Sequence, residues 1–149
     1  MVVPHFFQSS PQSCGPTCLR MLFAALGLAH DEGTIALACG MTVQGCQLQD
    51  LVHGAQALGL NAALLRLVDE AGAVAALSNQ IPFVAMIDLA SLDSAQPLFS
   101  WHFVVPLGIV GDEVTYHDPL EGPDRMAKRD DFLGAWATAG YGGVRVWTP

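Results

Sequence analysis

Apolar residues recur at helical spacing directly after Cys14. Three- and four-residue intervals place such residues on one face of an α-helix. The positions concerned are Leu19, Leu22, Phe23 and Leu26. Pro16 suits the first turn, where its missing N–H group is not needed, and Gly27 can end the helix. Similar patterns predict four further helices, over roughly residues 31–38, 47–58, 69–77 and 128–137.

Five other stretches predict β-strands. They cover residues 61–68, 81–87, 102–109, 112–118 and 143–147, and the second of them is strongly apolar. Most helices precede most strands, which favours an α+β fold over an alternating α/β fold. We therefore expect N-terminal helices packed on an antiparallel β-sheet.

A hairpin around Gly111 decides which side chains of its two strands share a face. A two-residue turn at Gly111 and Asp112 would put His102 and Asp118 on opposite faces, because side chains alternate along a strand. A three-residue loop ending in a left-handed Gly111 pairs Gly108 with Asp112 instead. We predict this second register, which sets His102 directly opposite Asp118. Pro106 cannot donate to a ladder, so a bulge or an edge is expected there.

Bulk composition narrows the possible functions. A chain of 149 residues fits one domain, residues 1–149. The net charge is −8, with only six Lys and Arg residues, so the basic surface that nucleic-acid binding needs is missing. No apolar run is long enough to span a bilayer, and the N-terminus lacks the pattern of a signal peptide. These features predict a cytoplasmic protein whose four cysteines are free thiols.

Cys14 is the candidate nucleophile. A cysteine at a helix N-terminus faces the positive end of the helix dipole and unpaired N–H groups, which stabilise the thiolate. Gly15 is expected to leave room for a substrate backbone. Gln8 can donate from the preceding loop to the oxyanion of an acyl transfer, together with the N–H of Cys14. Gln12 is a rival donor, although its closeness to Cys14 favours a solvated loop role.

His102 is the candidate base among five histidines. It opens an apolar strand, whereas His5, His30 and His53 fall in segments expected at the surface. Asp118 precedes Pro119, which holds it extended, and its carboxylate can accept a hydrogen bond from the imidazole Nδ1–H. The expected site is thus a thiol, an imidazole and an orienting carboxylate.

A zinc site is the competing interpretation of the cysteines. Cys14, Cys18, Cys39 and Cys46 could supply four thiolates. The gap between Cys39 and Cys46 is too long for a usual ligand pair, and no Cys-x-x-Cys occurs. Cys18, one helical turn after Cys14, is expected to pack inward. The sequence therefore implies neither a metal nor a cofactor.

Four motifs in order resemble the double-glycine leader peptidases, which are the papain-like cysteine peptidases at the N-terminus of bacteriocin exporters and their free-standing relatives, and the chain is expected to be a free-standing member. They are Gln8, Cys14-Gly15-Pro16, His102-Phe103-Val104-Val105 and His117-Asp118-Pro119. The segment from Gly45 to Leu60 is also similar, so the resemblance covers nearly the whole chain. It implies a papain-like α+β fold, a Cys14–His102–Asp118 triad and an oxyanion hole completed by Gln8.

The resemblance also implies a substrate class, and two other functions are compatible with the same fold. Such peptidases cut a leader peptide after a Gly-Gly pair, and association with a transporter is then a possible partnership. Transport itself is not implied, since the chain has no membrane or nucleotide-binding domain. A silent peptide-binding module and acyl transfer to another amine are the remaining alternatives.

Overall fold

Five α-helices and six β-strands make up the computed structural model, which describes residues 1–149. In chain order they are α1 Cys14–Ala25, α2 Glu32–Cys39, α3 Leu48–Ala57, β1 Asn61–Leu64, α4 Glu70–Ser78, β2 Val84–Asp88, β3 Trp101–Val110, β4 Glu113–Asp118, β5 Gly122–Lys128, α5 Arg129–Thr138 and β6 Gly143–Trp147. A 3₁₀ turn, Leu89–Ser91, follows β2. None of the helices has the length and apolar character needed to cross a membrane.

The strands form one six-stranded sheet in the order β1-β6-β2-β3-β4-β5. Every neighbouring pair is antiparallel. The expected α+β class with an antiparallel sheet is therefore confirmed. β3 lies near the middle of the sheet, between β2 and β4, and it carries His102 at its second position.

Helices cover the sheet through two apolar clusters. The first cluster joins α1, α2 and α3 to strand residues that include Phe103 and Val105. The second joins α4 and α5 to residues that include Val104 and Ile87. Alternation along β3 explains the division, because successive side chains of a strand point to opposite faces. The N-terminal helices therefore form one layer, and a second helical layer comes from the later part of the chain.

Local chemistry explains where the helices begin and end. Asp31 caps α2 by accepting from Thr34 N at 2.7 Å, and Asp69 caps α4 by accepting from Gly72 N at 2.9 Å. Such side chains satisfy N–H groups that have no partner inside the helix. α2 ends at Gly40, whose φ of 67° is left-handed. Glycine adopts that conformation without a steric penalty.

Three strands differ from the predictions. β2 begins at Val84, three residues after the predicted start. β1 ends at Leu64, four residues before the predicted end. β5 is absent from the predictions, because most of its side chains are exposed and give no alternating apolar pattern. It also contains Pro123 and a left-handed Asp124, both of which are unusual within a strand. Pairing with β4, rather than local sequence, makes this segment a strand.

The predicted β3–β4 register is wrong. Val110 pairs with Glu113 across a two-residue turn, and Gly108 pairs with Thr115 rather than with Asp112. A bulge between Pro106 and Gly108 then shifts the register by one residue, so that Val105 pairs with His117. An extra residue moves every later side chain to the other face. The bulge expected at Pro106 thus restores a common face for His102 and Asp118.

Candidate active site

A hydrogen bond joins two buried side chains at the centre of the site. His102 Nε2 lies 2.7 Å from Asp118 Oδ1, and both residues are about 95% or more buried. Since the carboxylate can only accept, the imidazole donates through Nε2–H. The prediction that Nδ1 makes this bond is therefore wrong. Nδ1 is left as the ring nitrogen available to the thiol of Cys14.

Asp118 is held by more than the imidazole. Its Oδ1 also accepts from Leu120 N at 2.8 Å and from Glu121 N at 3.2 Å. Burial alone would raise the pKa of this carboxyl, but the bonds from His102 and from the two backbone N–H groups hold it below its usual value. His5 Nε2 binds the backbone carbonyl of Asp118 at 2.7 Å. The carboxylate is thus ionised and fixed.

The same contacts act on His102. Burial would lower the pKa of its imidazole, but the hydrogen bond with Asp118 and the interaction with the nearby Cys14 outweigh burial and raise the pKa to about 9. An imidazole with that pKa is protonated at neutral pH. The protonated ring can donate to Asp118 through one nitrogen and keep a proton on the other for a reacting group.

Cys14 is the first residue of α1 and is partly exposed. At that position its backbone N–H has no acceptor inside the helix and is free to bind an anion. The preceding turn is fixed by Ser13, which is fully buried and whose Oγ donates to Ser10 O at 3.0 Å. The loop therefore holds the thiol at the end of the helix, beside His102.

Gln8 lies beside this thiol in the same groove. Its Nε2 donates one hydrogen to Ser10 O at 2.8 Å, and its Oε1 is buried without a partner. An amide nitrogen carries two hydrogens, so one hydrogen remains for a further acceptor. Gln12 lines the other groove that contains Cys14. Gln8 and Gln12 thus border different grooves, and both grooves include Cys14.

Gly15 has a role other than the one expected. A Cβ atom on Gly15 would lie 3.1 Å from Leu51 Cδ2 and 3.2 Å from Phe103 Cδ2. These distances are tighter than ordinary van der Waals contact. Gly15 therefore allows α1 to pack closely on β3 and α3, and it faces the core rather than a substrate.

Two grooves meet at Cys14. One has a volume of about 660 Å³ and is lined by Leu48, Met86, Phe103 and several glutamines. The other has a volume of about 420 Å³ and contains Gln8 and His102. Trp101 borders both grooves. Trp101 was not among the predicted site residues, although its place directly before His102 could have indicated a position at the site.

Two of the remaining cysteines are buried, and Cys46 lines the larger groove together with Cys14. Cys18 is fully buried in the core, as expected, and burial raises the pKa of its thiol well above the ordinary value. The thiols of Cys39 and Cys46 interact with each other, and this interaction raises the pKa of Cys39 and lowers that of Cys46. All four thiols are free. No cluster of three or more His, Cys, Asp or Glu side chains is arranged to hold a metal.

Comparisons with solved structures agree with this architecture. The peptidase domain of Streptococcus ComA, a bi-functional ABC transporter of a quorum-sensing pathway, superposes with a TM-score of 0.78 at 15% identity, covering 97% of each chain. A double-glycine-motif protease from an AMS/PCAT transporter, solved with its leader peptide, gives 0.76 at 18% identity, covering 99% of this chain and 93% of that one. A putative C39-like peptidase from Bacillus anthracis gives 0.78 at 18% identity, covering 99% and 95%.

The family comparison matches residues 3–140 to the model of the Peptidase C39 family. No curated protein matches the chain. The fold and the family match together define a papain-like cysteine peptidase. The chain belongs to the Peptidase C39 family, as its motifs led us to expect.

Proposed function

We propose that this peptidase cuts a leader peptide after a Gly-Gly pair, through an acyl-enzyme formed on Cys14. The observation that carries the assignment of residues is the buried 2.7 Å bond between His102 and Asp118, beside the thiol at the start of α1. The substrate class is taken from the AMS/PCAT protease, which was solved with a leader peptide. Family membership supports the peptidase activity itself.

The first half of the reaction forms a thioester. The sulfur of Cys14, whose proton is held by the His102 imidazolium, attacks the carbonyl carbon of the second glycine, and charge develops on the carbonyl oxygen. The N–H of Cys14 and the second hydrogen of Gln8 Nε2 donate to that oxygen. His102, oriented by Asp118, gives its Nδ1 proton to the leaving amine as the C–N bond breaks.

The second half releases the leader. A water molecule enters as the amine leaves, and His102 Nδ1 takes a proton from it. The resulting oxygen nucleophile attacks the thioester carbonyl, and the C–S bond breaks. The leader gains a carboxylate end, and Cys14 and His102 return to their starting state. Asp118 keeps its charge throughout, because it stabilises the imidazolium without taking its proton.

A synthetic precursor peptide tests this proposal. It carries an amphipathic leader ending in Gly-Gly, followed by a short cargo. We expect wild-type protein to give two products, with mass spectrometry placing the cut after the second glycine. Cys14→Ala and His102→Ala should each lose at least about 10³-fold in activity, since residues that act as a unit fail together. Wild-type protein that binds the peptide but leaves it intact would instead identify a binding module.

A competing amine separates hydrolysis from acyl transfer. Cleavage is repeated with excess glycinamide, and the leader product is weighed. Hydrolysis predicts a free carboxylate end even with the amine present. A leader that carries the added amine as its main product would assign the second step to acyl transfer.

The proposal extends to a transporter partner. Two of the structural neighbours are peptidase domains of transporters. A peptidase that cleaves precursors of exported peptides would act close to the exporter. Crosslinking in intact cells, followed by mass spectrometry, should recover a transporter with wild-type protein. Recovery of precursor peptides alone would limit the partner to the substrate.

A further inference from the structure

Glu32 accepts three hydrogen bonds from residues outside its own helix. Its Oε1 accepts from Ser9 N at 2.9 Å and from Thr17 Oγ1 at 2.7 Å. Its Oε2 accepts from the hydroxyl of Ser9. Thr17 is fully buried. Both oxygens of a residue on α2 are thus used by two other segments of the chain.

Those two segments carry the two groups that act on the substrate carbonyl in the proposed function. Ser9 follows Gln8, whose amide is the side-chain donor to the oxyanion. Thr17 lies in the first turn of α1, which begins with Cys14. Glu32 therefore bonds both to the loop that follows Gln8 and to the helix that begins with Cys14.

Glu70 is an acidic residue at the same helix position that makes no such contacts, so it serves as a comparison for Glu32. Glu70 is the first residue of α4 and follows an Asp cap, just as Glu32 is the first residue of α2 and follows Asp31. Its carboxylate has one ion-pair partner, Arg129 Nη1 at 3.7 Å. Interaction with the helix dipole is common to both acids. The three hydrogen bonds to other segments distinguish Glu32.

We propose that Glu32 is a positioning residue, which fixes the distance between the Gln8 amide and the Cys14 thiol by bonding to both supporting segments. This inference rests on the proposed function. A misplacement of about 1 Å in a catalytic arrangement can cost about 10²-fold in rate. The carboxylate suits the task because its two oxygens accept three hydrogen bonds at once. Burial would raise the pKa of Glu32, but bonds from Ser9 and Thr17 lower it, so the acid stays ionised.

Glu32→Ala, Glu32→Gln and the control Glu70→Ala test the proposal on the same precursor peptide. We expect Glu32→Ala to lower kcat about 10- to 100-fold with KM little changed, because the donor acts mainly on the transition state. Glu32→Gln should stay within about threefold of wild type, since an amide of the same shape can accept from Ser9 N and Thr17 and donate to the Ser9 hydroxyl. Glu70→Ala should match wild type.

The rate of Cys14 alkylation by iodoacetamide distinguishes misplacement of Gln8 from a general loss of structure. A general loss of structure would change this rate as well. Displacement of iodide at a CH₂ group makes no oxyanion, so misplacing Gln8 should leave this rate unchanged. We expect Glu32→Ala to alkylate within about twofold of wild type while its peptide cleavage falls. If Glu32→Ala does not fold, Thr17→Val removes one donor at constant volume. That variant should then lose about three- to tenfold in kcat.

The outcomes separate this inference from the proposed function. If wild-type protein and Cys14→Ala both fail to cleave, the proposed function is wrong and the role of Glu32 goes with it. If wild type cleaves and Glu32→Ala cleaves equally fast, only the inference on Glu32 is overturned. Equal losses of cleavage and alkylation in Glu32→Ala would also overturn it, because they would reveal a general loss of the site.

Discussion

His102 and Asp118 are hydrogen-bonded at 2.7 Å although they are not partners in the β3–β4 ladder. The ladder pair nearest to these two residues is Val105 with His117. Continuing the ladder by one residue places Val104 opposite Asp118. His102 lies two residues earlier and shares the face of Val104. The bond is therefore a diagonal contact, within reach of an imidazole ring. Its existence depends on the single extra residue of the bulge at Pro106.

Removing the charge of Asp118 should shift the pH dependence of cleavage. Asp118→Asn keeps an oxygen for His102 Nε2–H but loses the carboxylate that raises the pKa of His102 to about 9. We expect kcat/KM to fall about tenfold, equivalent to ~1.4 kcal/mol. The alkaline limb of the pH profile should move from near pH 9 to lower pH, since the imidazolium is lost earlier. A profile that keeps its alkaline limb would contradict this role of Asp118.

The raised pKa of His102 also predicts how stability depends on pH. A pKa of about 9 in the folded state exceeds the ordinary value of 6.5, so protonation favours folding. The contribution is complete below pH 6.5 and is lost as the pH rises through about 9. Urea unfolding of wild type and His102→Gln should therefore show a stability difference that shrinks between pH 6.5 and pH 10. A constant difference across that range would show that protonation of His102 is not linked to folding.

The four thiols should be alkylated in a defined order. Cys14 and Cys46 are partly exposed, and interaction with the neighbouring Cys39 thiol lowers the pKa of Cys46. Cys18 and Cys39 are buried and have raised pKa values. Since the thiolate is the reactive form, iodoacetamide at neutral pH should label Cys14 and Cys46 first. Peptide mapping by mass spectrometry measures the order, with protein unfolded in urea as the control in which all four react.

A larger residue at Gly54 should destabilise the packing of α2 on α3. A Cβ atom there would lie 2.2 Å from Cys39 Sγ and 3.0 Å from Cys39 N. The backbone atom cannot move aside cheaply, so Gly54→Ala should lower the free energy of unfolding by about 1–3 kcal/mol. Gly134 in α5 is the matched control, with nothing within 4 Å of its added Cβ. Gly134→Ala should raise stability by about 0.5–1 kcal/mol. Equal effects of the two substitutions in denaturant unfolding would refute the packing argument.

Asp88 should hold the loop that leads to Trp101. Its buried carboxylate accepts from Ala90 N at 3.2 Å, Phe99 N at 3.1 Å and Ser100 N at 3.0 Å. Asp88→Ala leaves these N–H groups without that acceptor, and we expect a loss of about 1–3 kcal/mol. Hydrogen exchange at Phe99 and Ser100 should accelerate as well.

Asp93 is the control for that loop. It accepts from Ala95 N at 3.0 Å in an exposed part of the same segment. Asp93→Ala should change unfolding free energy by less than about 0.5 kcal/mol, as exposed substitutions usually do. Unchanged exchange at Phe99 and Ser100 in Asp88→Ala would show that the loop is held by other contacts.

The amino-acid sequence by itself determined the helices, most strands and the candidate residues. Apolar spacing, Asp caps and terminating glycines all act between neighbours in the chain, so the start of α1 at Cys14 and the α+β class could be predicted. The order of Gln8, Cys14, His102 and Asp118 also indicated the family. The caps and spacings lie within one or two turns of helix or one strand, and the family signal lies in the order of short motifs along the chain.

Only the tertiary structure decided how those pieces meet. The register of β3 and β4, the use of Nε2 rather than Nδ1 by His102, and β5 all depend on pairing between strands. Glu32 reaches Ser9 and Thr17 across 23 and 15 residues of chain, and no local pattern encodes such contacts. Long-range bonds form because packing brings their atoms together, so their geometry is fixed only once the whole chain has folded.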